Sequence, residues 1–418
     1  MLKFIIWEVA AILTLKEFKE ARACLKDVIL ETHLIYSDYF SRVTGNHVYL
    51  KPENMQVTGA FKVRGACYKI ALLSEEERAA GLITASAGNH AQGVAYAAKA
   101  AGVPAAIVMP TTTPLVKVNN TKDLGAEVLL EGSNFDESYA LAQELAEARG
   151  LTMVHPFNDL AVATGQGTIS YEIFQDLPDV DVILVPVGGG GLATGVATLA
   201  KLLNPNVRII GVEPMGAASM VAALEANEVV TLSHIETIAD GVAVKAVGDH
   251  LFPYVKQHLD DIITVDDTDL LDAFLDMMEK HKMVVENAGL LTIAALSKLE
   301  EKGRNVVPVL SGGNMDVITI SSLVQHGLMS RDRVFTLSVQ LPDRPGELLG
   351  VAQVVATCGG NIIKLEHNQF VSINRQRAVE LRLTMEAFGH AHKKEILGAL
   401  KARGYDAQQI GTSPIYTY

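Results

Sequence analysis

VDVILVPVGGGGLATG (180–195) decides the fold class. An apolar, β-branched run, VDVILVPV (180–187), leads directly into four glycines and then a small-residue helix near 192–203. A strand that ends in a glycine turn and feeds a helix is the unit of a parallel α/β sheet. Consecutive glycines expose backbone N–H groups, and the helix N-terminus adds its positive end, so the loop reads as a phosphate cradle. A dinucleotide fold is the rival at this point. Gly188, Gly190 and Ala193 satisfy G-x-G-x-x-A, and Glu213 ends the next strand, VRIIGVE (207–213), where a ribose-binding acid would stand. That fingerprint usually opens the first strand of a nucleotide domain, whereas here several βα units come first.

Working outward, LITAS (82–86), AAIVMP (105–110), AEVLLEG (126–132), TMVHPF (152–157) and VVPVLSGGN (306–314) read as strands. Helices fall between them at 90–102, from Pro114 to about Leu124, and from Phe135 to about Arg149. This alternation gives βαβ units and parallel sheets. Thr14 and Glu17 form a capping box that opens a helix through about Leu30. Residues 1–13, apolar but broken by Lys3 and Glu8, read as an appendage and not as a secretory signal. After about Gln325 the pattern changes, and 326–332 reads as a strandless linker. Residues 333–418 then give β-α-β-β-α-β, the ferredoxin-like order, as a separate domain.

Composition narrows the function. With 49% hydrophobic and 20% charged residues in 418, the chain is a globular protein of two or three domains. A formal net charge of −13 argues against general nucleic-acid binding. No apolar run approaches a membrane span. Cys24, Cys67 and Cys358 are odd in number and lack metal-ligand spacing, which fits small buried side chains in a reducing cytoplasm.

Three further segments carry chemistry. In KPENMQVTGAFKVRGA (51–66), Lys62 stands among Ala60, Phe61, Val63 and Ala66, with Gly59 and Gly65 on either side. A lysine in apolar surroundings loses its charge readily and becomes a nucleophilic amine. SAGNHAQG (86–93) joins a strand to a helix, so Ser86, Asn89, His90 and the helix amides together suit a carboxylate. In SGGN (311–314), Ser311 follows a buried strand at its carboxyl end, where α/β sheets bind ligands.

TGAFKVRGA, SAGNHAQG, HPFNDLAVATGQGT (155–168), VGGGGL, IADGVAVK (238–245) and SGGN occur in the order of the fold type II pyridoxal-phosphate enzymes. Residues 15–325 resemble that family, and within it the threonine dehydratases. The segment with LPDRPGELLGVAQVVATCGGNI (341–362) resembles an ACT domain, an amino-acid-sensing module. The resemblance implies a catalytic domain over 1–325, with a smaller α/β subdomain of about 60–155 inserted in the larger, and an ACT domain over 333–418. It implies a pyridoxal 5'-phosphate cofactor bonded to Lys62, with Phe61 against its ring and Asn89 on its phenolic oxygen. Gly188, Gly189, Gly190, Gly191 and Leu192 would hold the phosphate, and Ser311 would face the ring nitrogen. Ser86, Asn89 and His90 would hold the substrate carboxylate.

The reaction so implied is deamination of L-threonine, and of L-serine, to a 2-oxo acid and ammonia, with Lys62 as the base. The resemblance also implies a homotetramer with an amino-acid effector at the ACT domain. Ala87 stands where the related racemases carry an acid/base serine, which favours elimination over racemisation. Of those racemases' cation ligands, Glu213 and Ala217 match while Ser219 replaces an aspartate, which leaves at most a weak cation site. The rival functions are a racemase or another β-eliminating enzyme, and a silent amino-acid sensor.

Overall fold

The structure is a computed structural model that describes residues 13–368 and 379–411. The expectation for residues 1–13 therefore lies, apart from Leu13, outside the described residues. The chain divides into two compact units, Met1–Asp316 and Val317–Tyr418.

The first unit holds two sheets. The larger orders its strands Ile35–Tyr36, His47–Leu50, Asn305–Pro308, Val182–Pro186, Arg208–Pro214 and Asp261–Val265. All neighbours are parallel except the short Ile35–Tyr36 edge. Val182–Pro186 is buried along its whole length. That burial on both faces explains why its sequence is a continuous apolar run and not an alternating one. Ile183 and Val185 join Val196, Ala197 and Ala200 of the helix Gly191–Leu203 in the main core. Each buried Ile or Val side chain among them contributes about 1.5–3 kcal/mol.

The smaller sheet orders Glu127–Leu130, Ala105–Met109, Leu82–Ala85 and Thr152–Met153, all parallel. Its last strand is shorter than TMVHPF suggests. Pro156 has no N–H to give a ladder, and the chain turns at His155, whose Nδ1 accepts the amides of Phe157 (3.2 Å) and Asn158 (2.9 Å). The helix Leu15–Leu25 starts at Thr14 with both capping-box bonds and stops five residues short of Leu30.

The second unit carries Val334–Leu341, Asn361–Asn368, Val379–Glu386 and Asp406–Ile410 as an antiparallel sheet. In chain order of these four strands the sheet runs 2-3-1-4, which is the ferredoxin-like arrangement. The helices Glu347–Thr357 and His390–Ala402 supply Val351, Val355, Ile396 and Leu400 to its core. One expectation changes here. The stretch read as a linker is largely helical, within Val317–Ser330, and the division between the units falls at Asp316.

Candidate active site

Lys62 opens the helix Lys62–Ala71, and its turn is pinned from behind. The Phe61 amide donates to the Ser311 carbonyl at 3.0 Å, and Ala60 bridges to Gly312. Lys62 is thereby fixed beside the carboxyl end of Asn305–Pro308. Its Nζ donates to the Pro156 carbonyl at 2.7 Å and lies 5.4 Å from the Phe61 ring centroid. Burial pushes the amine down to about 8, against the pull of Glu286. A lysine tuned in this way is a competent nucleophile and base near neutral pH.

The glycine loop lies at the start of Gly191–Leu203. Gly190 has φ +96°, which a side chain disfavours, and a Cβ on Gly189 would meet the Phe157 ring at 2.2 Å. The loop is thus pressed onto Phe157, one residue from the carbonyl that holds Lys62. The first amides of the helix have no intrahelical acceptor. Thr194 and Thr198, in its first two turns, have buried hydroxyls without a partner among the described residues.

The SAGN loop forms the start of the helix Asn89–Ala101. The Ser86 hydroxyl accepts the Gly88 amide at 3.2 Å and so shapes the loop. The His90 ring is turned away from it, with Nε2 3.0 Å from the Val154 carbonyl. Burial lowers the His90 pKa to about 3, so the imidazole is neutral. What His90 presents at the helix start is its backbone amide. Ser311 is buried, with its carbonyl engaged by Phe61.

Glu213 and Ala217, the two residues of the expected weak cation site, lie in the strand Arg208–Pro214 and in the turn that follows it. Both oxygens of Glu213 accept amides at the start of the helix Ser219–Ala226, Met220 at 2.8 Å and Val221 at 2.9 Å. Burial nevertheless raises the Glu213 carboxyl to about 7. Ala217 lies in the short turn Met215–Ala217 just before that helix. Among the described residues, no cluster of three or more His, Cys, Asp or Glu is placed to hold a metal ion.

Sequence reasoning missed Glu286, and it quoted Asn314 without a role. Asn89 Nδ2 donates to Glu286 Oε1 at 2.7 Å, and Asn314 Nδ2 donates to Asn89 Oδ1 at 2.9 Å. The signal for Glu286 was a lone carboxylate in the apolar stretch VVENAGLL (284–291). Burial raises its pKa to about 7. The folded state therefore binds this proton more tightly than the unfolded chain, and stability falls as pH rises from 4.5 through 7. For the cofactor-free protein, urea unfolding at pH 5.5 and pH 8 should show a loss of about 2 kcal/mol from this group. Glu286→Gln should remove that loss; an equal loss in the variant would show that the carboxyl titrates normally.

A buried, nucleophilic lysine tied to Pro156, next to the Phe157 that backs a glycine cradle, is the arrangement of an enzyme that works through a phosphate-bearing cofactor. The family described as pyridoxal-phosphate dependent enzymes matches residues 25–312, and the chain belongs to it. Over 400 residues the chain is 45% identical to the L-threonine ammonia-lyase of Thermotoga maritima, covering 96% of this chain and 100% of that protein. Among solved structures it is similar to the processed form of threonine deaminase isoform 2 from Solanum lycopersicum, with TM-score 0.71 and 40% identity over 75% of this chain and 94% of that one. It is also similar to maize serine racemase, with TM-score 0.71 and 34% identity over 76% of this chain and 98% of that one.

The residues present fit the cofactor. The glycine-loop amides and the unpartnered hydroxyl of Thr194, in the first turn, are donors of the kind a phosphate takes. The Lys62 amine, at about 8, is suited to carry an aldehyde. No helix of the described residues is long and apolar enough to cross a membrane.

Proposed function

We propose that this chain is an L-threonine ammonia-lyase that also takes L-serine, converting them to 2-oxobutanoate or pyruvate and ammonia. The observation that carries the reading is Lys62, held by Pro156 beside the Phe157-backed glycine loop. The bound cofactor supplies an electron sink for the substrate Cα. Gly188 to Leu192 would hold the phosphate through backbone amides, Phe61 would pack against the ring, and Asn89 would donate toward its phenolic oxygen. Ser311 would face the ring nitrogen; a hydroxyl there would not force protonation as an aspartate would, which favours prompt loss of the β-substituent over transamination. Ser86 and the amides of Asn89 and His90 hold the substrate carboxylate. Lys62 would take the α-proton and the β-hydroxyl would leave, with a proton, as water; hydrolysis of the released enamine then gives the 2-oxo acid and ammonia. Ala87 offers no hydroxyl for reprotonation from the opposite face, which favours elimination over racemisation. The test is product stoichiometry. Purified protein given L-threonine should release 2-oxobutanoate and ammonia in equal amounts, whereas D-amino-acid formation without ammonia would favour the racemase reading.

The second unit serves in this proposal as an ACT regulatory domain that binds an amino-acid effector within a cytoplasmic homotetramer. Its order β-α-β-β-α-β and the turn before Glu347–Thr357, where Gly346 has φ +97°, support that reading. Asn361 starts the second strand, and its Nδ2 donates to Glu386 Oε2 at 2.9 Å. A chain ended at Asp316 should keep threonine turnover and lose any response to isoleucine or valine. Asn361→Ala in the full chain should weaken that response about five-fold or more and leave the unliganded rate nearly unchanged. Initial rates with and without effector check both, and full sensitivity in the shortened chain would place the effector site in the first unit.

A further inference from the structure

The Asn89 amide is held at both ends by residues that come from far along the chain. Its Oδ1 accepts from Asn314 Nδ2 at 2.9 Å, and its Nδ2 donates to Glu286 Oε1 at 2.7 Å. Asn314 Nδ2 also donates to the Thr58 carbonyl at 2.7 Å. A carbonyl only accepts, so Thr58 fixes which end of the Asn314 amide is nitrogen. Asn314 spends both hydrogens, one on Thr58 and one on Asn89. The Asn89 oxygen is then committed as an acceptor, and its nitrogen must face Glu286. One hydrogen of Asn89 Nδ2 is left, so toward anything bound in the cleft this side chain can act only as a donor.

Glu286 is the end of this chain of fixed polarity. Its own amide donates to the Gly312 carbonyl at 2.9 Å, which ties it to the segment that also pins Lys62. A Cβ on Gly312 would come within 2.4 Å of Glu286 Oε1, so the carboxylate sits close against that backbone. We propose that Glu286 is a positioning residue that acts through Asn89, orienting its amide so that a single N–H is offered to the cofactor's phenolic oxygen. This rests on the function proposed above, because it needs a pyridoxal cofactor beside Asn89. Removing the acceptor leaves Asn314 as the sole restraint on the amide, so Asn89 can tilt about its last torsion and its free N–H is no longer aimed at the phenolic oxygen. Glutamine retains an acceptor oxygen at the same reach and so keeps the orientation without the charge.

The test uses the full-length protein, stripped of cofactor and titrated with pyridoxal 5'-phosphate, with dissociation constant and absorption spectrum as readouts. Glu286→Ala should raise the dissociation constant about ten-fold or more and shift the visible band, and Glu286→Gln should return it to within about three-fold of wild type. In an Asn89→Ala background, Glu286→Ala should add less than about a three-fold further loss, as expected of residues acting through one another. Asn314→Ala cuts the chain at its other end and should repeat the Glu286→Ala loss, which serves if Glu286→Ala does not fold. Affinity and spectrum unchanged in Glu286→Ala or Asn314→Ala would overturn the role. So would Glu286→Gln as impaired as Glu286→Ala, since charge would then matter and orientation would not. Wild-type protein that takes up no cofactor would overturn the proposed function along with it.

Discussion

Lys62→Ala should leave a folded protein whose threonine turnover is lower by about four orders of magnitude or more. The side chain has two tasks that nothing nearby can take over. Its amine, brought to about 8 by burial, would be both the covalent anchor and the base in the proposed reaction. Other lysines of the first unit are engaged elsewhere: Lys51 is committed to Glu172 and the Thr32 carbonyl, and Lys117 pairs with Asp240 at 3.6 Å. The backbone around position 62 is held by Phe61 and Ala60, not by the lysine side chain, so the fold should survive. Steady-state assay of 2-oxobutanoate checks this, and turnover within about ten-fold of wild type would refute the assignment of Lys62.

Arg64→Met should destabilise the first unit by about 3–5 kcal/mol. Two residues after the reactive lysine, the Arg64 guanidinium is inaccessible to solvent and fully engaged. It donates to Glu53 at 2.7 and 2.8 Å, to Glu172 at 2.6 and 2.8 Å, and to Thr168 at 3.2 Å. Lys51, also without exposure, completes a set of two cations and two anions. Burial works to raise the Glu53 pKa, but Arg64 and Lys51 override it and hold the carboxylate ionised. Methionine fills similar volume but leaves two buried carboxylates facing one ammonium. That cost is a large part of the whole stability of an ordinary domain, about 5–15 kcal/mol. Urea unfolding of wild type and variant measures it, and a difference below about 1 kcal/mol would contradict the reading of the cluster as tightly coupled.

Much of the fold was legible because local signals agreed. Strand, glycine turn and helix over 180–203 appear as expected, with the strand Val182–Pro186 and the helix Gly191–Leu203. The helix Phe135–Arg149 matches at both ends, since Asn134 caps it by accepting the Glu137 amide and Gly150 stops it at φ +67°. The helix Val317–Ser330 escaped because its first turn, Val-Ile-Thr-Ile, is β-branched and reads against a helix. The helix Leu160–Asp176 was quoted only as a motif, since GQGT looks like a loop and its regularity comes from packing.

The site divides in the same way. Lys62, the glycine loop and Asn89 were legible because each lies in a short segment whose residue types suit one chemistry. Glu286 was not, because its partner Asn89 is 197 positions away and only the fold joins them. The Arg64 cluster draws on residues 32, 51, 53, 64, 168 and 172, and no spacing in the sequence announces it. His90 shows the converse limit. The sequence marked the residue, but only the structure shows that its ring faces the Val154 carbonyl.

The most direct test is to reduce the pyridoxal-phosphate-loaded protein with borohydride and map the modified lysine by peptide mass. The account predicts one modified residue, Lys62, with loss of the visible band and of threonine turnover together. Modification of any other lysine, or a band and an activity that survive reduction, would contradict it.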